Sequence, residues 1–213
     1  MGKILNIANF YRLLEWIMWL VYINLLWVGS VLLGLIVFGV FPATVAMFTV
    51  IRHLIIKDAT GKQIFKTFVF TYKREFLKSN GIGIIMTSIG YFLYLDFLFI
   101  RNITGFSYYV FYTGLIFVGI LYLITLLYIL PVYVHYELKF FQYFKHAILI
   151  GIVSPFMTVG IIIGLTLLYF LLVSIPGLIP FITSSIIALI IMVCSLVVFN
   201  RLDYKQRANE ISK

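Results

Sequence analysis

The segment from residue 13 to residue 57 constrains the fold most, because it is almost wholly apolar and far too long for one crossing of a bilayer. A single transmembrane helix needs about 20 apolar residues, each adding about 1.5 Å. The segment therefore has to contain a spanning helix, a turn and a second helical piece. Gly34, Gly39 and Pro42 interrupt it near its middle, where a turn is expected.

The composition of the whole chain is also that of a membrane protein. Of its 213 residues, 63% are hydrophobic and only 11% are charged, whereas soluble domains devote about a quarter of their residues to charge. We therefore expect one membrane domain over residues 1–213, without a separate enzymatic or nucleic-acid-binding module. The net charge of +9 is attributed to loops that face anionic lipid, and no nucleic-acid partner is expected.

Hydropathy predicts an all-α transmembrane helical bundle with five clear spans and a shorter sixth helix that pairs with the first span as a hairpin. Pro42 would stand at the start of the short helix, where its missing N–H is not needed. The clear spans are about 15–34, 81–100, 107–134, 155–175 and 181–199, and the short helix is 43–57.

The distribution of lysine and arginine predicts the orientation, because these residues are retained on the cytoplasmic side. With the hairpin, 15 of the 16 bases lie inside; with the short helix on the inner surface instead, the split is 13 against 3. The hairpin is favoured and places the N-terminus in the cytoplasm. Both arrangements place the C-terminus there, in a bacterial plasma membrane.

Segments 58–80 and 137–154 are predicted to form amphipathic helices along the cytoplasmic surface. In the first of them, apolar residues recur at helical spacing and lysines occupy much of the remainder. These bases would contact membrane lipid or a protein partner. The cytoplasmic contact residues are predicted to be Arg52, Lys66, Lys73, Arg74 and Lys78.

Few residues in the spans could carry chemistry. Asp96 is an acid within a predicted span, and such residues are functional candidates because burying their charge is costly. It could line a polar path with Asn24 and Tyr133, or it could only hydrogen-bond a neighbouring helix or reach Arg101, which is the favoured reading. The three histidines do not have metal-ligand spacing, and no catalytic or nucleotide-binding motif is present. No catalytic residue, cofactor or metal is expected.

The most distinctive residues begin within the first span, in the string YINLLWVGSVLLGLIVFGVFPATVAMFTVIRHLIIKD and the later QIFKTFVFTYKREFLKSN. Over about residues 22 to 80 the chain resembles the YesL family of bacterial integral membrane proteins. The family's pattern of Asn-Leu-Leu-Trp, Gly-x-x-Pro-Ala-Thr-x-Ala and a Phe-rich, Lys-rich stretch is matched here by residues of the first two helices and of the amphipathic segment. The matching residues of the helix pair are Asn24, Trp27, Gly39, Pro42, Ala43, Thr44 and Ala46.

The resemblance implies a link to sugar import, because the genes of such proteins tend to stand beside those of oligosaccharide importers of the ATP-binding-cassette type. The chain is therefore expected to be a non-catalytic accessory or assembly subunit, with permease subunits or their ATPase as partners. The segment 39–46 would form the tight turn, with Ala43 and Ala46 allowing close helix approach. Lipid attachment of the helix 62–79 is the favoured alternative to ATPase docking. A small autonomous transporter or channel, and less so a membrane enzyme, are the rival functions.

Overall fold

The structure, a computed structural model, describes residues 2–57 and 61–211. Within those ranges it contains eight α-helices, one short 3₁₀-helix at Pro176–Leu178 and no strand, which confirms the predicted all-α class. The α-helices are α1 (Gly2–Leu33), α2 (Val37–Lys57), α3 (Gly61–Arg74), α4 (Phe76–Ile100), α5 (Phe106–His135), α6 (Phe140–Val153), α7 (Pro155–Ser174) and α8 (Ile179–Ile211).

Among the described residues, six helices are long and apolar enough to cross a membrane, namely α1, α2, α4, α5, α7 and α8. The chain is therefore a multi-pass membrane protein. The helix predicted to be short is of full length, since α2 supplies the 20-residue span Val37–Ile56. It begins at Val37, several residues before the predicted start at 43.

Helices α1 and α2 form the predicted hairpin, and their contacts lie at matching distances from the turn. The indole Nε1 of Trp27 donates a 3.0 Å hydrogen bond to Oγ1 of Thr44, and that hydroxyl donates in turn to the Val40 carbonyl at 2.6 Å. Gly39 lies so close to α1 that a Cβ placed on it would overlap the Val31 carbonyl oxygen. The two backbones therefore approach as closely as small residues permit.

The prediction of a turn within 39–46 is wrong, because that segment is helical and the turn lies at residues 34–36. Pro42, which was expected at a helix start, stands inside α2. A proline there leaves the Phe38 carbonyl without its helical N–H donor. The side-chain Nδ2 of Asn80 donates to this carbonyl at 3.0 Å. A neighbouring helix thus satisfies the oxygen, and α2 continues through the proline.

The turn itself is made by two apolar residues in an uncommon backbone conformation. Leu35 and Ile36 have φ values of 55° and 64°, in the left-handed region that a β-branched residue rarely adopts. The N–H of Ile36 bonds the Val31 carbonyl at 2.9 Å and closes the end of α1. Gly34 is the first residue of the turn, and a Cβ there would overlap the backbone of Gly39. Close packing of the hairpin thus determines where the glycines stand.

The two shorter helices, α3 and α6, each pack lengthwise against longer ones. Helix α3 runs beside α1. At the start of α3, Gly61 lies against the Trp19 ring, and near the end of α3 the Tyr72 hydroxyl donates a 3.1 Å hydrogen bond to the Ser30 carbonyl. Helix α6 returns along α5, where Gly151 is in close contact with that helix. Helix α4 begins directly after α3, five residues earlier than the predicted span. The location of α3 and α6 at a membrane surface stays a prediction.

Helix α2 forms the centre of the packed molecule. It contacts α1, α3, α4, α5 and α8, and its small residues Ala43 and Ala46 are completely buried. Ile64 and Phe68 of α3, both buried, are part of the same apolar cluster. The core therefore holds α3 firmly against α2, and this attachment positions the site described next.

Candidate binding cleft

A cleft of about 850 Å³ opens where the second half of α2 meets α3, the start of α4 and the end of α5. The segment between α5 and α6 closes one side of it. Its volume is within the range of small-molecule sites. The charged, histidine and tyrosine side chains that line it are Arg52, His53, Lys66, Arg74, Glu75, Lys78, Tyr133, Tyr136, Glu137 and Tyr143.

Helix α3 and the start of α4 supply one wall as a stripe of side chains four residues apart. Lys66, Phe70, Arg74 and Lys78 follow this spacing, which places them along one flank of a helix. The Arg74 guanidinium lies 5.2 Å from the centre of the Phe70 ring, within the range of a cation–π contact. The buried face of α3 is turned away from this flank, so the wall is presented by a helix that the core holds in place.

Glu75 stands at the junction between α3 and α4 and ties the wall to α5. One carboxylate oxygen, Oε1, accepts a 2.7 Å bond from Arg74 Nε, and the other accepts a 2.5 Å bond from the Tyr133 hydroxyl. Burial raises the pKa of Glu75, but the bonds from Tyr133 and Arg74 and the charges of Arg74 and Lys78 outweigh it. The pKa of Glu75 therefore lies below its ordinary value of 4.5, and the carboxylate stays ionised at neutral pH.

Arg52 projects into the cleft from α2. Its Nε is buried, and no described residue accepts a hydrogen bond from it. A buried donor without a partner costs about 1–3 kcal/mol, and more when it is charged. Arg52 therefore carries a buried donor that no described residue satisfies.

A second polar contact joins the end of α5 to α8 at the edge of the cleft. The Tyr136 hydroxyl donates to Asp203 Oδ1 at 3.4 Å, and Nε2 of His135 lies 3.9 Å from Oδ2 of the same carboxylate. Burial, then the charge of Asp203 and the hydrogen bond to it, raises the pKa of Tyr136 to about 12. The hydroxyl therefore stays protonated and keeps donating over the physiological pH range.

The balance of these groups makes the cleft cationic. It holds four Lys or Arg side chains against two carboxylates, and Glu75 is already bound by Arg74. Within the described chain, no carboxylate lies within ion-pairing distance of Arg52, Lys66 or Lys78. The arrangement can bind an anion through N–H donors, with tyrosine hydroxyls close by.

The structure brings together most of the predicted cytoplasmic contact residues and separates the predicted polar path. Lys73 is exposed and does not line the cleft, unlike the other four contact residues. Tyr133 lies at the cleft, whereas Asn24 donates a 2.8 Å hydrogen bond to the Pro180 carbonyl. Asp96 is exposed on α4, 21 positions beyond Glu75 and so about 30 Å away along the helix axis. The three path residues therefore do not line a common route.

Sequence reasoning missed Glu75, Tyr136 and Tyr143 as parts of the site. The four-residue spacing of Lys66, Phe70, Arg74 and Lys78 was a usable signal in the sequence. It indicates that these residues share one flank of the helix, apart from Lys73. The partnership of Glu75 with Tyr133 had no such signal, because 58 positions separate them. Only the packing of α4 against α5 brings these two together.

These features define an all-helical, multi-pass membrane protein with a cationic cleft at the meeting point of its helix ends. The chain belongs to the family described as "Protein of unknown function, DUF624", whose family model matches residues 20–97. That match contains the α2, α3 and α4 walls of the cleft and stops before α5. No solved structure matches the chain.

Three relatives from Bacillus subtilis (strain 168) share most of their length with this chain, and each is described as an uncharacterized protein. YteU is 34% identical over 86% of this chain and 82% of its own. YesV is 35% identical over 85% of this chain and 87% of its own. YesL is 29% identical over 90% of both chains. The predicted resemblance to the YesL family is thereby confirmed.

Proposed function

We propose that the protein is a non-catalytic accessory or assembly subunit of a carbohydrate importer of the ATP-binding-cassette type. The importer context comes from the family resemblance. In this proposal the protein lies in a bacterial plasma membrane, with both chain termini and the Arg52 end of α2 on the cytoplasmic side. The concentration of 15 of 16 bases on one side in the hairpin arrangement supports this orientation.

The observation that carries the proposal is the way α3 is mounted. Ile64 and Phe68 bury one face of the helix against α2, while Lys62, Phe65 and Lys73 remain exposed. We call this exposed side, made of Lys62, Phe65 and Lys73, the outer flank of α3. A helix fixed on one side and exposed on the other suits a contact that must transmit displacement.

The contacts of α3 lead from the outer flank into the transmembrane helices. Phe68 belongs to the apolar cluster that surrounds α2, and Glu75 at the end of α3 is bonded to Tyr133 of α5. A partner that pushes on the outer flank would therefore act on α2 and α5 through packed contacts. An ATPase or a permease loop is the partner that the importer context suggests.

Site-directed photocrosslinking tests this proposal. A photoreactive phenylalanine analogue at position 65, on the outer flank, is expected to crosslink to a permease or ATPase subunit of a sugar importer. The same analogue at the exposed position 141 of α6 is the matched control and should not capture those subunits. Crosslinks from position 65 to lipid alone would contradict the proposal and support lipid attachment.

An uptake measurement tests the functional part of the proposal separately. Lys73→Glu reverses a charge on the outer flank, and Lys145→Glu makes the same change at an exposed position of α6. Sugar uptake by cells is expected to fall with Lys73→Glu and to stay near the wild-type rate with Lys145→Glu. Unchanged uptake after deletion of the whole protein would refute an importer role.

A further inference from the structure

The cleft presents several basic side chains that no described carboxylate neutralises. Arg52, Lys66 and Lys78 all line it, and no described carboxylate pairs with any of them. The buried Nε of Arg52 has no acceptor among the described residues. The one lining carboxylate with a defined role, Glu75, already bonds Arg74 and Tyr133.

The chemistry of these donors fits a phosphate group. A guanidinium presents its N–H groups in a planar fork that matches phosphate oxygens, whereas lysine acts as a mobile point charge. The Tyr143 hydroxyl accepts a 3.1 Å bond from the Leu138 N–H, so its own proton is free to be donated. A guanidinium fork, ammonium groups and a hydroxyl are all donors that phosphate oxygens accept.

The size of the cleft indicates that more than a bare ion fits. A volume of about 850 Å³ lies well above that of a phosphate and within the range typical of small-molecule sites. Tyrosine side chains on the wall formed by α5 and α6 offer flat surfaces to an attached polyol or glycerol. The site therefore suits a phosphorylated organic ligand.

We propose that this cleft binds the phosphate of a phosphorylated ligand, with the half-buried Arg52 as the anchor and Lys66 and Lys78 as further positive charges along the cleft. The shared chemistry has two sources, the headgroup of an anionic phospholipid and a soluble phosphate ester. This site is independent of the outer flank of α3, because Lys73 of that flank does not line the cleft. Its ligand does not depend on an importer role.

Two binding arms separate the sources. In the first, the full-length protein in nanodiscs of phosphatidylcholine is titrated with glycerol 3-phosphate and with inorganic phosphate. In the second, native mass spectrometry counts phosphatidylglycerol retained by the protein in competition with phosphatidylcholine. Saturable one-to-one binding in the first arm identifies a soluble ester, and selective retention of one phosphatidylglycerol identifies a headgroup.

Matched variants tie the binding to the cleft. Arg52→Gln is expected to weaken binding in the positive arm by at least about tenfold, because a charged hydrogen bond is lost. Arg52→Lys should restore only part of it, since the fork is missing. Lys73→Gln removes the same charge on the outer flank and should change binding by less than about twofold, as expected for an exposed base that does not line the cleft.

The outcomes that overturn the proposal are equally definite. Absence of saturable binding in both arms would refute it, as would equal weakening by Arg52→Gln and Lys73→Gln, which would indicate only a general charge effect. If Arg52→Gln does not fold, Lys78→Gln at an exposed position of α4 provides the test in its place. Binding unaffected by Lys78→Gln would then contradict the site.

Discussion

Helices α2 and α4 are both long and apolar enough to cross a membrane, yet they are packed very differently. Within an 18-residue window of the α2 span, 56% of the residues are buried in the molecule, against 17% within such a window of the α4 span. The far half of α4 and the first half of α5 form a hairpin whose side chains mostly point outward. We call residues 91–120 the distal hairpin and compare it with the packed region, which is formed by α2 and the sides of α1 and α3 that contact it.

The difference shows that hydrophobicity and burial are separate properties in this protein. The packed region is held together by close backbone approaches and by hydrogen bonds such as that from Trp27 to Thr44. In the distal hairpin, by contrast, a Cβ added at Gly114 or Gly119 would meet nothing within 4 Å. Lipid does not drive apolar helices together, so packing geometry has to do so. Matched substitutions in the two regions should therefore have unequal effects.

The largest difference is expected between two phenylalanines. Phe68 is completely buried, and Phe117 of the distal hairpin is 64% exposed. Phe68→Ala should lower the free energy of unfolding by about 3–5 kcal/mol through the cavity it leaves, whereas Phe117→Ala should change it by less than about 0.5 kcal/mol. Reversible unfolding in lipid bicelles measures the free energy of unfolding of both variants. Equal losses would mean that the distal hairpin is as tightly packed as α3.

A pair of glycines gives the next largest effect. Gly39→Ala places a methyl group against the Val31 carbonyl oxygen and should cost about 3 kcal/mol, since the hairpin backbone must move apart. Gly114→Ala has open space and should be neutral or stabilising by up to about 1 kcal/mol, because alanine favours a helix. The same unfolding measurement applies. A neutral Gly39→Ala would show that α1 and α2 are less closely packed than the structure indicates.

A pair of acids gives the smallest effect and adds a dependence on pH. Glu75→Gln should cost about 1–2 kcal/mol near neutral pH by weakening the bonds to Tyr133 and Arg74, whereas Asp96→Asn should have no measurable cost.

The sign of the pH dependence follows from the lowered pKa of Glu75. The stability that its carboxylate contributes is present above 4.5, its ordinary value, and is lost as the pH falls through the lower folded-state pKa. The advantage of the wild type over Glu75→Gln should therefore disappear in acid. Unfolding curves of both proteins over about pH 3 to 7 measure this. An advantage that persisted at the acid end would contradict the assignment.

Much of this fold could be predicted from residue type and spacing. Long apolar runs and the placement of bases predicted the all-α class, the hairpin and an amphipathic helix after it. The position of the turn could not be predicted, because glycine and proline normally indicate turns. Here the glycine lies at a close helix contact, and the proline lies inside a helix. Gly39 allows α1 to approach, and the carbonyl freed by Pro42 is satisfied by Asn80. This replacement of a lost backbone hydrogen bond depends on a residue of another helix, 38 positions after Pro42 in the sequence.

The candidate site was predictable only in part. The bases Arg52, Lys66, Arg74 and Lys78 were identified from their charge and their expected side of the membrane. Their convergence on one cleft depends on α2, α3, α4 and α5 meeting at their ends, which single-sequence periodicity does not report. The predicted polar path of Asn24, Asp96 and Tyr133 was wrong for the same reason. That a residue belongs to a span does not show which face of the helix it occupies.

The hydrogen bond from Asn24 to the Pro180 carbonyl joins residues 156 positions apart. During synthesis, α1 leaves the ribosome long before α8 is made. The Asn24 side-chain amide therefore enters the bilayer before its acceptor, the Pro180 carbonyl, has been synthesised. Hydrocarbon offers no water to occupy it in the meantime. Closure of the molecule around its first helix therefore belongs to the end of biosynthesis, and chains truncated before Pro180 should be recognised and degraded by membrane proteases.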